Sequence, residues 1–183
     1  MDFYAIFLRG VNVGGVKVLM KDLVALLQDA GYTQVRTLLA SGNVVLASEE
    51  TDPARIKAGV EQALRERYGR DIPVIVQDVD QLERIVTGFP FESPDDGIQR
   101  HEYLVLTGSQ KDAAAILAGA PETSSAERVA RLGHAICWEV PRGESLKTPL
   151  AKHLAKVASG TLVTTRNMNT IRKIHLAMKS PKR

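Results

Sequence analysis

The stretch QVRTLLASGNVVLA, residues 34–47, decides the fold because it predicts two strands joined by a tight turn. The strands are expected at Gln34–Leu39 and Asn43–Ala47, and the turn lies at Ala40–Asn43. Glycine and asparagine readily take the positive φ that a hairpin turn requires. The sequence therefore predicts an antiparallel hairpin here, and the other elements of the first half precede or follow it.

A strand and a helix precede this hairpin, and a helix and a strand follow it. The short apolar run Phe3–Arg9 predicts a buried strand, and the helical pattern after it is closed by Gly31. Asp52 precedes a proline and predicts the start of the next helix, which leads into a strand at Ile72–Val76. The first 78 residues thus have the β-α-β-β-α-β order of a ferredoxin-like sandwich.

The same order recurs in the second half of the chain. A strand is predicted at Glu102–Leu106, an alanine-rich helix follows, and a hairpin turns at Gly133. Thr148 opens a further helix, and a short strand and a closing helix end the pattern. The predicted fold class is α+β, with two tandem ferredoxin-like halves, an extra linking helix at Val79–Val86 and a C-terminal helix. The predicted boundaries are residues 1–88 for the first half, 89–100 for a linker and 101–183 for the second half.

Composition and charge exclude several classes of protein. Hydrophobic residues make up 44% of the 183 residues and charged ones 25%, which is typical of a folded domain. No apolar run approaches the roughly 20 residues that span a bilayer, so no membrane association is expected. Cys137 is the only cysteine, which rules out an intrachain disulfide and favours a reducing cytoplasm.

A glycine-rich segment between the first strand and the first helix is the strongest candidate for a binding site. Freed backbone N–H groups and the helix dipole favour an anion at such a position. The segment lacks the ending of a P-loop and the spacing of a dinucleotide fingerprint. In a split-βαβ sheet, the end of the first strand faces the start of the third, so this loop and the hairpin turn are expected to converge. The predicted ligand-binding residues of this neighbourhood are Arg9, Asn12, Gly14, Gly15, Lys17, Ser41 and Asn43.

A second group of polar residues precedes the last predicted helix. Arg166 and Asn167 follow two threonines, and this combination resembles an oxyanion site at a helix N-terminus. N-capping by threonine or asparagine explains the hydroxyls and the amide equally well, but it does not explain Arg166. Both residues are therefore included in the predicted ligand-binding set.

No catalytic set is recognisable in the sequence. Cys137 lies in a predicted strand, with Ile136 and Trp138 on the opposite face, and no neighbour in sequence would activate its thiol. The four histidines are scattered without metal-ligand spacing, so we expect no metal and no cofactor. Catalysis stays open as an alternative, in the form of an enzyme acting on a phosphorylated small molecule.

A basic C-terminal segment makes nucleic acid an alternative partner. The last 39 residues contain nine basic side chains and no acidic one. They are Lys147, Lys152, Lys156, Arg166, Arg172, Lys173, Lys179, Lys182 and Arg183. Ferredoxin-like RNA-recognition modules stack bases on strand aromatics, and neither central strand here carries that pattern. A solvated, basic tail explains the same residues without a partner.

Three ordered motifs identify a family resemblance. LRGVNVGG at residues 8–15, SGNVV at 41–45 and TTRNMNT at 164–170 resemble the bacterial domain-of-unknown-function family sixteen-ninety-seven. The resemblance implies a fold related to ferredoxin-like sandwiches and a bacterial cytoplasmic setting, and it implies no activity. The leading hypothesis from the sequence is therefore a binding protein for a small, phosphate-bearing anion.

Overall fold

A computed structural model describes residues 1–12, 16–39, 41–92, 96–124 and 126–180. The chain divides into two compact units: Met1–Arg84 together with the stretch that begins at Arg172, and Ile85–Ile171. The predicted domain boundaries stay a prediction. The structural division assigns the end of the closing helix to the first unit, where the sequence placed it in the second half.

The first unit contains one four-stranded sheet and two complete helices. Its elements are β1 (Asp2–Leu8), α1 (Met20–Asp29), β2 (Thr33–Thr37), β3 (Asn43–Ser48), α2 (Pro53–Tyr68) and β4 (Val74–Asp78). The sheet order is β2-β3-β1-β4, and every neighbouring pair is antiparallel. Phe7 of β1 lies opposite Asn43 of β3, as the split-βαβ order predicted.

The core of the first unit forms between this sheet and the helices α1 and α2. Ile6 and Leu8 of β1 are fully buried, and they belong to one cluster with Leu23 and Leu27 of α1 and Leu64 of α2. Alternation along β1 places its even-numbered residues on the helical face of the sheet. The helical stripe of apolar residues seen in the sequence therefore packs on this face.

Local signals set the ends of α2. The Asp52 carboxylate accepts a hydrogen bond from the Ala54 N–H (2.8 Å), and Pro53 occupies the first helical position. Gly69 ends the helix in the left-handed conformation, with φ 67°, and its N–H donates to the Arg65 carbonyl. The predicted start and end of this helix are thus confirmed.

The second unit repeats the arrangement. Its elements are β5 (Arg100–Thr107), α4 (Gln110–Ala118), β6 (Arg128–Leu132), β7 (Ala135–Pro141), α5 (Pro149–Val157) and β8 (Val163–Asn167). The sheet order is β6-β7-β5-β8, again antiparallel throughout. Two further helices, α3 (Val79–Thr87) and α6 (Met168–Lys179), each contain a boundary between the units. The predicted α+β class with two tandem halves, a linking helix and a closing helix is confirmed.

Trp138 anchors the core of the second unit. It packs with Ile136 and with Leu150 of α5, and its indole N–H donates to the buried Glu127 carboxylate (3.0 Å). Glu127 lies 3.5 Å from the Leu150 N–H through its other oxygen. The buried Glu127 carboxylate is tolerated because it accepts a hydrogen bond, and the same bond satisfies the buried indole N–H of Trp138.

The opposite face of β7 carries a buried ionic group. The Glu139 side chain has no exposed surface, and one of its oxygens accepts from the Arg128 Nε (2.8 Å) and Nη2 (2.6 Å). Arg100 approaches the same oxygen (3.6 Å) and also pairs with Asp96. Arg128 in turn stacks on the Phe91 ring, 4.9 Å from its centroid. The second Glu139 oxygen is buried and accepts no hydrogen bond from the described residues.

The end of α6 is held on the first unit by charged groups. Arg36 of β2 donates to the Ala177 carbonyl and to the Ser180 carbonyl (3.2 Å), which satisfies acceptors that a helix C-terminus leaves open. Lys179 pairs with Glu83 of α3 at 2.6 Å. None of the described helices is both long and apolar enough to cross a membrane.

His175 makes the stability of the first unit depend on pH. It is 7% exposed, and its Nε2 is buried without a hydrogen-bond partner among the described residues. Burial, and then the charge of Lys179, lower its pKa from 6.5, and Glu83 opposes this. The unfolded chain therefore binds the proton first, so stability is complete above pH 6.5 and is lost as the pH falls towards the lower folded pKa.

We expect His175→Gln to remove this dependence. Urea unfolding at about pH 8 and about pH 5.5 measures the stability that each protein loses on acidification. The wild type should lose more than the variant, because only the wild type carries the buried imidazole. Equal losses in the two proteins would contradict the assignment.

Candidate functional site

The glycine loop after β1 and the turn between β2 and β3 contact each other. Gly42 packs so closely that a Cβ on it would lie 2.7 Å from the Val11 Cγ2 and 2.9 Å from the Leu8 Cβ. Its φ is +72°, and its carbonyl accepts from the Leu8 N–H (2.8 Å). The predicted meeting of these two segments at one end of the first sheet is therefore observed.

Asn12 fixes the ends of the glycine loop. Its Nδ2 donates to the Val18 carbonyl (3.1 Å), and its Oδ1 accepts from the Val18 N–H (2.9 Å). The Asn12 N–H donates to the Val16 carbonyl (2.8 Å), and the residue itself lies at φ 58°. Both atoms of the amide are used to close the loop. Gly14 and Gly15 lie outside the described residues.

Asn43 performs the same task in the hairpin turn. It is fully buried, and its Nδ2 donates to the Leu38 carbonyl (3.0 Å) and to the Ser41 hydroxyl (2.9 Å). The Leu38 N–H donates to the Asn43 carbonyl (2.9 Å). The two asparagines that the sequence predicted as ligand contacts thus hold the shape of the segments that meet here.

Arg9 and Lys17 supply the positive charge at this end of the sheet. Lys17 is exposed, and Arg9 is partly exposed at the end of β1. The Arg9 N–H donates to the Pro73 carbonyl (3.0 Å), which joins the start of β4 to the same end. Exposed Arg70 lies three residues before this proline, so the connection before β4 adds a third cation.

The first helix begins beside these cations without a side-chain cap. Leu19 occupies the N-cap position of α1 and offers no acceptor, whereas Asp52, Ser109 and Thr148 cap their helices. The Asp22 N–H donates to the Leu19 carbonyl (3.1 Å), which leaves the amides of Met20 and Lys21 in the first turn available to an anion. Asp22 in that turn is the opposing negative charge.

Sequence reasoning missed Arg70 and Leu39. The pairing of β4 with β1 brings the connection that contains Arg70 to this end of the sheet, and no local sequence motif indicates that pairing. Leu39 is 56% exposed. Its φ of 62° is uncommon for leucine, and the hydrogen bonds between Asn43 and the preceding Leu38 hold the chain in this conformation. The only local signal was the run of two leucines before the turn.

Arg166 and Asn167 belong to the second unit. Arg166 lies in β8 opposite Leu104, and its Nη1 donates to the Thr164 hydroxyl (2.6 Å) and the Thr165 carbonyl (2.9 Å). Burial lowers the pKa of its guanidinium to about 10. The Asn167 Oδ1 accepts from the Asn169 N–H (2.8 Å), so N-capping of α6 accounts for this residue. The strand that the sequence predicted at Leu162–Thr164 extends to Asn167, which directly precedes α6.

Cys137 and His153 have structural roles in the second unit. Burial raises the pKa of the Cys137 thiol to about 12, which makes the residue inert. The His153 Nε2 lies 2.9 Å from the Ile116 carbonyl and joins α5 to α4. No cluster of three or more histidine, cysteine or carboxylate side chains suited to a metal occurs among the residues described.

A known structure resembles the chain over nearly its full length. A conserved bacterial protein, SP0830 from Streptococcus pneumoniae, has 26% identity and a TM-score of 0.79, over 98% of this chain and 99% of that one. An unknown protein from Galdieria sulphuraria has 12% identity and a TM-score of 0.27, over 91% of this chain and 98% of that one. A score that low supports no inference about the fold.

Family comparison agrees with the motifs. No curated protein matches the chain. A family model described as "Protein of unknown function (DUF1697)" matches residues 1–137, a stretch that covers the first unit's sheet and ends at the third residue of β7. With three quarters of its length matched, this chain belongs to the DUF1697 family.

Proposed function

We propose that the first unit binds a small anion that carries a phosphate group, at the end of the sheet where the glycine loop meets the hairpin turn. The observation that supports the proposal is the close packing of Gly42 against Val11, because Arg9 and Lys17 lie two residues before and six residues after Val11. The ligand would contact these two cations and the open amides at the start of α1.

The asparagines support the proposal indirectly. Because Asn12 is bound to Val18, and Asn43 to Leu38 and Ser41, the residues at the two ends of the loop and in the turn are held together without a ligand. A surface that is already ordered loses less entropy on binding than one that must fold around its ligand. Arg9 and Lys17 are then the side chains that determine affinity, and Arg70 adds to the attraction at longer range.

Isothermal titration with inorganic pyrophosphate at low salt tests the proposal. We expect saturable binding to the wild type, weakened about tenfold in Arg9→Ala and in Lys17→Ala, because each loses a charge-assisted hydrogen bond worth about 1.5 kcal/mol. Arg55→Ala is the matched control, since Arg55 is exposed in the first turn of α2, beside Glu50. Absence of binding to the wild type, or an equal loss in the control, would refute the site.

The same titration with a single-stranded oligonucleotide addresses the nucleic-acid alternative. Binding through phosphate contacts weakens steeply with salt, because each neutralised phosphate releases counterions. If an oligonucleotide binds with an affinity that falls steeply with salt concentration, and pyrophosphate does not bind, nucleic-acid binding would replace the small-anion proposal.

Two finer descriptions belong to the same proposal. The order β2-β3-β1-β4, repeated as β6-β7-β5-β8, supports the ferredoxin-like description of each half. The buried thiol of the only cysteine supports a reducing compartment such as the cytoplasm.

A further inference from the structure

Two exposed leucines lie at the end of the first sheet where the glycine loop meets the hairpin turn. Leu19 directly precedes α1 and is 44% exposed, and Leu39 lies between β2 and the turn and is 56% exposed. A single exposed leucine is ordinary on a protein surface and needs no explanation. These two differ, because each occupies a position at which leucine costs stability.

Leu39 adopts a backbone conformation that leucine rarely takes. Its φ is +62°, in the left-handed region where glycine and asparagine are favoured and other residues are strained. A glycine or an asparagine would form the same turn without this strain. Burial compensates leucine little, since more than half of the residue is exposed. The turn itself therefore favours glycine or asparagine at this position.

Leu19 occupies the N-cap position of α1, where serine, threonine, aspartate or asparagine is favoured. Such residues accept a hydrogen bond from an amide of the first turn, and leucine has no acceptor in its side chain. The N-cap residues of α2, α4 and α5 all form this bond. Leu19 forms none and leaves nearly half of its surface exposed. A polar residue at this position would make the first unit more stable.

Hydrogen bonds connect both leucines to the close contact between the glycine loop and the turn. Asn12 binds the N–H and the carbonyl of the residue before Leu19 (2.9 and 3.1 Å). Asn43 binds the carbonyl of the residue before Leu39 (3.0 Å). The two asparagines directly follow the two residues that pack against each other in this contact. The leucines are therefore held near the contact, one on the loop side and one on the turn side.

Positive charge predominates at the same end of the sheet. Arg9, Lys17 and exposed Arg70 lie there, and Asp22 in the first turn of α1 opposes them. The carboxylate of Asp71 is engaged by an arginine of α2 (2.5 Å). An anion is therefore the ligand that this end of the sheet attracts, and an apolar part of that anion would meet exposed leucine side chains.

We infer that the anion bound here is a phosphate monoester with an apolar chain. Its phosphate would contact Arg9 and Lys17, and its chain would lie against Leu19 and Leu39. This inference rests on the proposed function, since it names the class of ligand for the same site. When the chain covers the leucines, the apolar surface that they expose in the free protein leaves water, and this contributes to affinity.

Isothermal titration with methyl phosphate and hexyl phosphate tests the inference, because the two esters share a head group and differ in chain length. Hexyl phosphate is kept below the concentration at which it aggregates. We expect it to bind the wild type about tenfold more tightly than methyl phosphate, which corresponds to the burial of about two methylene groups.

Variants of the leucines separate the chain from the phosphate. Leu39→Asn and Leu19→Ala should each reduce the preference for hexyl phosphate about threefold and should bind methyl phosphate like the wild type. Alanine replaces Leu19 because serine would cap α1 and change the phosphate end of the site as well. Arg9→Ala should weaken the binding of both esters equally and keep the preference.

Leu146→Asn is the matched control for general attraction between leucine and an alkyl chain. Leu146 is 87% exposed before α5 in the second unit, and its replacement should keep the full preference. Leu39→Asn should also have a midpoint of urea unfolding no lower than that of the wild type, because asparagine tolerates the left-handed conformation. A lower midpoint would show that the leucine supports the fold and would contradict the inference.

Vesicles that contain phosphatidic acid distinguish two sources of such a ligand, since the headgroup of this lipid is a phosphate monoester. Cosedimentation with the vesicles that Leu39→Asn reduces would assign the phosphate to a lipid headgroup. A preference for hexyl phosphate without cosedimentation would assign it to a dissolved ester.

Three results would overturn the inference: equal affinities of the wild type for the two esters, a preference that both leucine variants keep, or an equal loss of preference in Leu146→Asn. If methyl phosphate and pyrophosphate bind and hexyl phosphate gains nothing, the phosphate site stands and only the apolar chain is refuted. If neither ester binds and pyrophosphate does not bind, the proposed function fails, and this inference fails with it.

Discussion

Replacement of Gly42 by alanine is expected to destabilise the first unit by about 3 kcal/mol. The left-handed conformation costs a non-glycine residue about 1–2 kcal/mol, and forcing a methyl group into a packed site costs about 1–3 kcal/mol more. Here the new Cβ would lie 2.7 Å from Val11 and 2.9 Å from the Leu8 Cβ, and the latter is too close to the backbone to move away cheaply.

Gly69→Ala is the control for the conformational part of this loss. Gly69 has a φ of +67°, close to that of Gly42, but a Cβ there meets no atom within 4 Å. Its replacement should therefore cost only about 1 kcal/mol. Urea unfolding followed by far-UV circular dichroism measures both variants, and similar losses would contradict the close contact between loop and turn. If the proposed site is correct, Gly42→Ala should also weaken pyrophosphate binding, because the loop that contains Val11 no longer packs against the turn.

Replacement of Glu139 by glutamine is expected to destabilise the second unit by about 3 kcal/mol. Removing one partner of a buried ion pair leaves the other charge without compensation, and such losses are typically about 3–5 kcal/mol. Glutamine keeps the shape of the side chain but removes the charge that Arg128 and Arg100 share. The buried oxygen that accepts no bond from a described residue reduces the loss towards the lower end of this range.

The only tryptophan of the chain gives this variant its own signal. Trp138 lies next to Glu139 and belongs to the core of the second unit, so its fluorescence reports the unfolding of that unit. Glu144→Gln is the control, because it breaks the exposed pair of Glu144 with Lys147 (3.2 Å) and should change stability by less than about 0.5 kcal/mol. A loss below about 1 kcal/mol in Glu139→Gln would show that the buried pair contributes little.

The sequence predicted the architecture well because its signals are local. Asp52, Ser109 and Thr148 each cap a helix where the pattern placed its start, and Gly69 ends α2 as expected. Alternation in β7 correctly separated Cys137 from Trp138. Once these elements were placed, the split-βαβ order was sufficient to predict that Phe7 and Asn43 face each other.

The candidate site was harder to predict, since identical side chains can bind a ligand or their own backbone. Asn12 and Asn43 have the polar amides of ligand contacts, but Val18 and Leu38 engage them within their own loops. Long-range partners could not be predicted either, since Arg36 caps the end of α6, which lies more than 140 positions away in the sequence. Such pairs depend on packing of the whole unit, which no window of sequence contains.

The burial of Cys137 has a practical consequence for measurements on this protein. Its side chain has no exposed surface, and its pKa is raised to about 12. In the native state an alkylating reagent therefore cannot reach the sulfur, and the thiol is not ionised to the reactive thiolate. Modification requires an opening of the second unit, and in the presence of excess reagent its rate follows the frequency of that opening. Because the chain has a single thiol, the fraction of molecules whose mass increases by one adduct equals the fraction that has opened.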